Sequence, residues 1–353
     1  MAGVSLLMLG MLLLLVAARG LRVRMTSEKP VSIRSRAVKS LASGVVSFGT
    51  SLLVVQGSRA DTVANKLKEL SCADSIVVLE GNKKESVILV GTAHISDQSV
   101  LLVKDVIDLT KPDVVMIELD TKRLRLGNEE TSIEEFERKG FIIPSETKKY
   151  VNAPRTAAPS SKSIIDRIFG PVFGIADNIT GNLVGSAIKN FYKSLETLGF
   201  TVGGEFDVAI QTAKKYNSKI LLGDRNVDIT LDHLGRAIEA TGLDAVQKAL
   251  IDIDEFQKRE GITLESESKE SLAILVEKIK TKNIAEASEA IIRADMPLVY
   301  NALIDERDLF MSNAIAEAVQ PGQQLVSVVG LGHVEGMTKY LNNLGFKKKY
   351  TIC

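Results

Sequence analysis

Histidine is scarce in this 353-residue chain, with only His94, His233 and His333. Cysteine is scarcer still. Cys72 and Cys353 make no disulfide framework and show no metal-ligand spacing, which excludes a disulfide-stapled module and a thiolate cluster. Net charge is missing as well, because 44 Lys and Arg offset 44 Asp and Glu. That balance hides an asymmetry. Residues 1–60 hold eight of the basic residues and one acid, Glu28, which leaves 36 basic against 43 acidic residues beyond them. An acidic body argues against nucleic acid as the main partner. Beyond residue 60 no apolar run is long enough to span a bilayer, and no solenoid-type repeat is present.

What is present begins with an address. Val4–Ala18 is apolar and uncharged, the length of a signal-peptide core. Arg19–Lys39 is rich in Arg and Ser and poor in acids, as transit peptides are, and Gly44–Val55 adds a second apolar patch. This order predicts bipartite targeting to a plastid, with a mitochondrial or endomembrane destination as the alternative. The folded body is expected over residues 61–353, a length that suits one large domain with additions.

The body is organised around Ser86–Arg123. An apolar strand breaks at Gly91 into Gly91-Thr92-Ala93-His94; a helix follows, with Val100, Val103, Val106 and Ile107 on one face. Lys111-Pro112-Asp113 stops it, and Val114–Ile117 is a second buried strand opening onto Glu118, Asp120 and Arg123. Such a unit predicts a right-handed crossover between parallel strands. Both polar loops then follow the carboxyl ends of their strands, where open α/β sheets bind ligands. Upstream, Ser75–Leu79 and the turn at Gly81-Asn82 predict a hairpin with the first strand.

Downstream, Pro144–Ser163 reads as a loop, an insertion more than a lid. The glycine-spaced apolar stretch Ile164–Leu198 reads as core helices, with a membrane-surface or homodimer face as the sharper alternative. Gly203-Gly204-Glu205-Phe206-Asp207 leads into a helix, and Lys219–Leu222 is a strand ending at Gly223-Asp224-Arg225. Residues from about 230 to 320 form a helical subdomain, in which Asp305-Glu306-Arg307-Asp308 reads as a solvated charged face and His233 as a surface histidine. Leu325–Val329 is a last buried strand, followed by Gly330-Leu331-Gly332-His333, and Tyr350–Ile352 adds an edge strand. The glycine spacing of that loop is not the dinucleotide fingerprint. The fold class is therefore α/β, a mainly parallel sheet with flanking helices plus a helical subdomain.

Two of the three histidines thus end Gly-x-x-His loops after strands. A catalytic divalent metal takes about three protein ligands and leaves a position for water. His94 and His333 with Glu118 or Glu205 satisfy that count, and the remaining carboxylate suits a general base. Arg225, Arg307 or Arg123 suits an oxyanion or an anionic substrate group. A phosphorylated small molecule held at helix N-termini is a third, weaker reading.

The segments GTAHIS, KPDVVMIELDTKR, GGEFDVAI, LLGDRNVDITL, ERDLFM and VVGLGHVEGM, in this order, resemble the TraB/PrgY family over roughly residues 74–345. That family is grouped with GumN-like proteins and Tiki-type metalloproteases. The resemblance implies an erythromycin-esterase/ChaN-like α/β fold and a site at His94, Glu118, Glu205 and His333, supported by Asp224, Arg225 and Arg307. It also implies a divalent metal, manganese or cobalt rather than zinc, though zinc is kept open here. Matched bacterial members are linked to shutting down peptide pheromone signals and eukaryotic ones to organelle membranes. The expected function is metal-dependent peptide hydrolysis. The alternative is a non-catalytic regulator or adaptor at an organelle membrane, and the body is expected to be soluble or in peripheral membrane contact.

Overall fold

The computed structural model describes residues 76–92, 97–125, 131–152, 203–262 and 282–352, together with 23–24, 67–68 and 70. The address region apart from Val23–Arg24, the stretch Ile164–Leu198 and His94 lie outside the described residues.

Seven strands form one mixed sheet: β1 (Ile76–Glu80), β2 (Ser86–Thr92), β3 (Val114–Ile117), β4 (Phe141–Ile142), β5 (Lys219–Leu222), β6 (Gln324–Gly330) and β7 (Lys347–Ile352). Their order is β4-β5-β3-β6-β2-β1-β7. From β4 to β2 every neighbour is parallel; β1 is antiparallel to both β2 and β7. The hairpin and the parallel run of β2 and β3 are as the sequence predicts, with one addition. β2 and β3 do not touch, because β6 from the far end of the chain pairs with both. The last strand is longer than Tyr350–Ile352, beginning at Lys347.

The strands read as apolar runs because both faces are covered. Ile88, Val90, Val115, Ile117, Val326 and Val328 pack on one side with α1 (Asp97–Thr110) and α4 (Gly204–Lys215). Their alternating neighbours Val87, Leu89, Val114, Met116, Leu325 and Val329 pack on the other, against α9 (Glu306–Ala318) and α10 (Val334–Asn343). The two-residue period of a strand thus sorts one hydrophobic run into two cores.

Two short helices, α2 (Ile133–Arg138) and α3 (Ser145–Asn152), flank β4. The second corrects the loop reading of Pro144–Ser163. Pro144 stands just before the first turn, Glu146 lies in it and Lys149 in the last, a start and charge order that suit a helix despite the polar composition; residues 153–163 are outside the described residues. The helical subdomain comprises α5 (Val227–Thr241), α6 (Leu243–Arg259), α7 (Lys282–Asp295) and α8 (Pro297–Tyr300). A π-helical segment, Asn301–Asp305, joins it to α9. Among the described residues no helix is long and apolar enough to cross a membrane.

Candidate active site at the strand ends

Parallel pairing fixes where the polar loops go. Thr92 is opposite Gly330, and Ile117 is opposite both Val328 and Leu222, so β2, β3, β5 and β6 end side by side. The residues that follow them, Glu118, Asp224 and Arg225, and His333 after a short 3-10 turn, therefore converge at one edge of the sheet. Arg307 and Asp308 reach the same place from the first turn of α9. All of these side chains are buried, and Arg307 is fully so.

Arg307 is the hub. Its Nε donates to Asp224 Oδ1 at 2.9 Å and its Nη2 to Asp224 Oδ2 at 2.7 Å, the two-pronged pairing that a planar guanidinium makes with a carboxylate. Nη2 also donates to Glu118 Oε1, and Nη1 lies 2.6 Å from His333 Nε2 and 3.2 Å from the carbonyl of Leu303. The second oxygen of Glu118 accepts from the backbone N–H of Gly330 at 2.7 Å. Arg123 joins the cluster by bonding Asp120 and Asp224. Asp120 in turn accepts from the N–H of Val227 at 2.8 Å, so one carboxylate anchors the N-terminus of α5 to the end of β3.

His333 Nδ1 is 2.6 Å from Asp308 Oδ1, and Nε2 is 3.3 Å from Glu118 Oε1. Burial lowers the proton affinity of this imidazole, but the Glu118 and Asp308 carboxylates outweigh it and lift the pKa to about 9. Two N–H groups cannot face each other at 2.6 Å, however. While Arg307 is in place the contact decides the tautomer: the ring proton is on Nδ1, toward Asp308, and Nε2 offers a lone pair. The Arg307 charge pulls the affinity down again, and the 2.6 Å contact is that of a neutral ring. Burial pushes Asp308 up to about 6, against the lowering effect of His333. Its other oxygen, Oδ2, has no hydrogen-bond partner and lies against Gly336, where an added Cβ would stand 1.9 Å from it.

The sequence-derived candidates separate into groups. Glu118, Arg307 and His333 are in mutual contact. Glu205 is buried in the first turn of α4, which starts at Gly203 in a left-handed conformation (φ 72°) that glycine adopts without strain. Burial and the Glu205 charge push the nearby Asp207 up to about 6. Arg225 spends its guanidinium within the protein, on Thr230, Glu306 and the carbonyl of Ala302. It and Arg307 thus satisfy carbonyls of the π-helical segment, whose ladder differs from that of an α-helix.

Two sequence expectations are corrected, although Arg307 itself was among the candidates. Glu306, Arg307 and Asp308 are not a solvated face: Glu306 is half-buried and bonds Arg225 and His233, while the other two enter the site. The four-residue spacing of Arg307, Met311 and Ile315 was the available signal, since it places the arginine on the apolar stripe of α9. His233 is likewise engaged, with Nδ1 2.6 Å from Glu306 Oε2.

The TraB/PrgY/gumN family model matches residues 75–352, which covers all of these elements. The chain belongs to the TraB/PrgY/gumN family. An uncharacterized protein of Methanocaldococcus jannaschii is similar at 28% identity over 268 residues, 76% of this chain and 56% of that one. TraB domain-containing proteins of Bos taurus and Homo sapiens are each 27% identical, over 75% and 72% of this chain and 65% and 62% of their own lengths. The chain thus spans less than two thirds of the length of each of these relatives.

Proposed function

We propose that this TraB-family chain is a metal-dependent hydrolase acting on peptides, with the buried cluster as its active site. The observation that carries the metal is the 3.3 Å separation of His333 Nε2 and Glu118 Oε1. Two ligands bound at about 2.0–2.2 Å around a tetrahedral ion lie roughly 3.3–3.6 Å apart. The pairing of His333 Nδ1 with Asp308 supports the same reading, since a carboxylate behind the imidazole fixes the tautomer that leaves Nε2 for a ligand. Among the described residues no group of three or more His, Cys, Asp or Glu side chains is arranged to hold an ion. The pair would be completed by His94, with manganese, cobalt or zinc as the ion. The chemistry such an ion supplies is a water acidified to near-neutral pH and a polarised substrate carbonyl. Peptide as the substrate class rests on the family resemblance.

The chain's own residues have separable tasks. The Gly330 N–H fixes Glu118 by one oxygen and so sets the direction of the other. Asp308 orients His333, and Arg307, held by Asp224, balances the charge of the carboxylates around it. Glu205 is left as the general base. The basic, acid-poor residues 1–60 support an organellar location for this activity, a plastid first.

A second reading has an observation of its own. The guanidinium of Arg307 already bridges Glu118, Asp224 and His333, as expected of a cluster that only ties strand ends together in a non-catalytic regulator or adaptor. Metal content by mass spectrometry, beside a screen of quenched peptide libraries, separates the two. The hydrolase reading expects about one ion per chain, with ion and cleavage both lost in a still-folded His333→Ala variant. No ion in either protein after reloading leaves the adaptor reading.

A further inference from the structure

We propose that Arg307 is a built-in occupant of the His333–Glu118 donor pair, so that its guanidinium and a divalent ion are mutually exclusive there. This rests on the metal reading above and adds a block to it. The site, so read, is gated by its own arginine, and using it requires Arg307 to withdraw.

The first support is coincidence of atoms. Nη1 approaches His333 Nε2 and Nη2 bonds Glu118 Oε1, the same two atoms that are spaced as ligands of one ion. A lone pair directed at an N–H is not available to a metal. The second is that Arg307 has other holdings. Its Nε bond to Asp224 Oδ1 uses an atom that does not touch the donor pair, so Arg307 can keep that bond while Nη1 and Nη2 swing off His333 and Glu118. The third is a contrast inside the same cluster. Arg123 is equally buried and also bonds Asp224, but its other partner is Asp120, and no bond joins it to His333 or Glu118. Arg123 contributes the same charge to the site without the contact. A general field effect and a specific block therefore make different predictions for the two arginines.

Calorimetric titration of the full-length, chelator-stripped chain with Mn²⁺ and with Co²⁺ tests this on wild type, Arg307→Gln, Arg123→Gln and Arg307→Gln/His333→Ala. Giving up bonds to two charged or strongly polar partners opposes binding by on the order of tenfold or more. Arg307→Gln is expected to tighten binding by that factor, Arg123→Gln by much less, and the double variant to lose the gain. Should Arg307→Gln fail to fold by circular dichroism, Arg307→Met replaces it. It keeps the length of the stem and has no N–H to set against His333 or Glu118, so the same ordering is expected. An equal gain in Arg123→Gln overturns the block in favour of a general field. Unchanged or weaker binding in Arg307→Gln overturns it alone and leaves the metal reading standing. No binding by any of the proteins overturns both.

Discussion

At the scale of single residues, the cluster is a case in which one atom's surroundings decide a neighbour's role. Asp308 makes one hydrogen bond, to His333, and its second oxygen is pressed against a glycine. Gly336 is required there because any Cβ would overlap Asp308 Oδ2 at 1.9 Å. Gly336→Ala is therefore expected to push the carboxylate off His333 and to destabilise the chain by about 1–3 kcal/mol, the usual effect of overpacking a full interior. Asp308→Ala removes the same support without the clash. On the metal reading both variants lower ion affinity by roughly tenfold or more. Denaturant melts and metal titration of the pair check this, and an alanine at 336 that leaves both quantities unchanged would show that Asp308 does not position the histidine. Glu118 and His333 were legible in the sequence because each lies in a polar loop that follows a strand. Asp308 was not: the apolar stripe of α9 marks Arg307 as inward-facing, but nothing local states that Asp308 beside it will meet His333 until the packing of α9 on the sheet is known.

At the scale of elements, the strands were legible and their neighbours were not. A run such as Ser86–Thr92 announces a buried strand by composition, but nothing local in it states that Gln324–Gly330 will lie between it and Val114–Ile117. That order is a long-range choice, made by which strands can bury both faces. Helix docking has its own local marks. Asp108 on α1 accepts from Lys104 at 2.6 Å, and from Lys215 and Tyr216 at the end of α4, both at 2.8 Å. Slight burial raises its pKa, but these donors outweigh that and hold the carboxyl down to about 2. A depressed carboxylate stabilises the fold above its unfolded pKa and loses that contribution as pH falls through the folded one. Asp108→Asn is thus expected to cost about 0.5–1 kcal/mol at neutral pH, an amount limited by solvent screening. The difference from wild type should shrink from about pH 4 downward and vanish near pH 2 in urea melts. A difference that persists there would mean that Asp108 acts through packing rather than charge.

At the scale of the whole molecule, the sheet among the described residues ends in two edge strands, and the chain treats them differently. β4 is only two residues long, too short to template another strand. β7 is longer and carries Lys347, Lys348 and Lys349 in succession, all exposed, with Lys349 paired to Glu80 at 3.2 Å. Consecutive lysines on an edge strand place charge on both faces, so a second copy approaching edge to edge brings like charges together. The same residues contribute little to the folded monomer, since exposed ion pairs are weak. Replacing all three by threonine, a residue at home in strands, is therefore expected to leave stability within about 0.5 kcal/mol. Multi-angle light scattering should at the same time show species larger than those of the wild type, growing with concentration and resisting salt. Salt dependence is the decisive control. If raising ionic strength to about 1 M, where screening acts within roughly 3 Å, makes the unsubstituted chain associate in the same way, the lysines act by charge repulsion. If the triple variant stays the same size as the wild type at every concentration, the edge is protected by something other than its lysines.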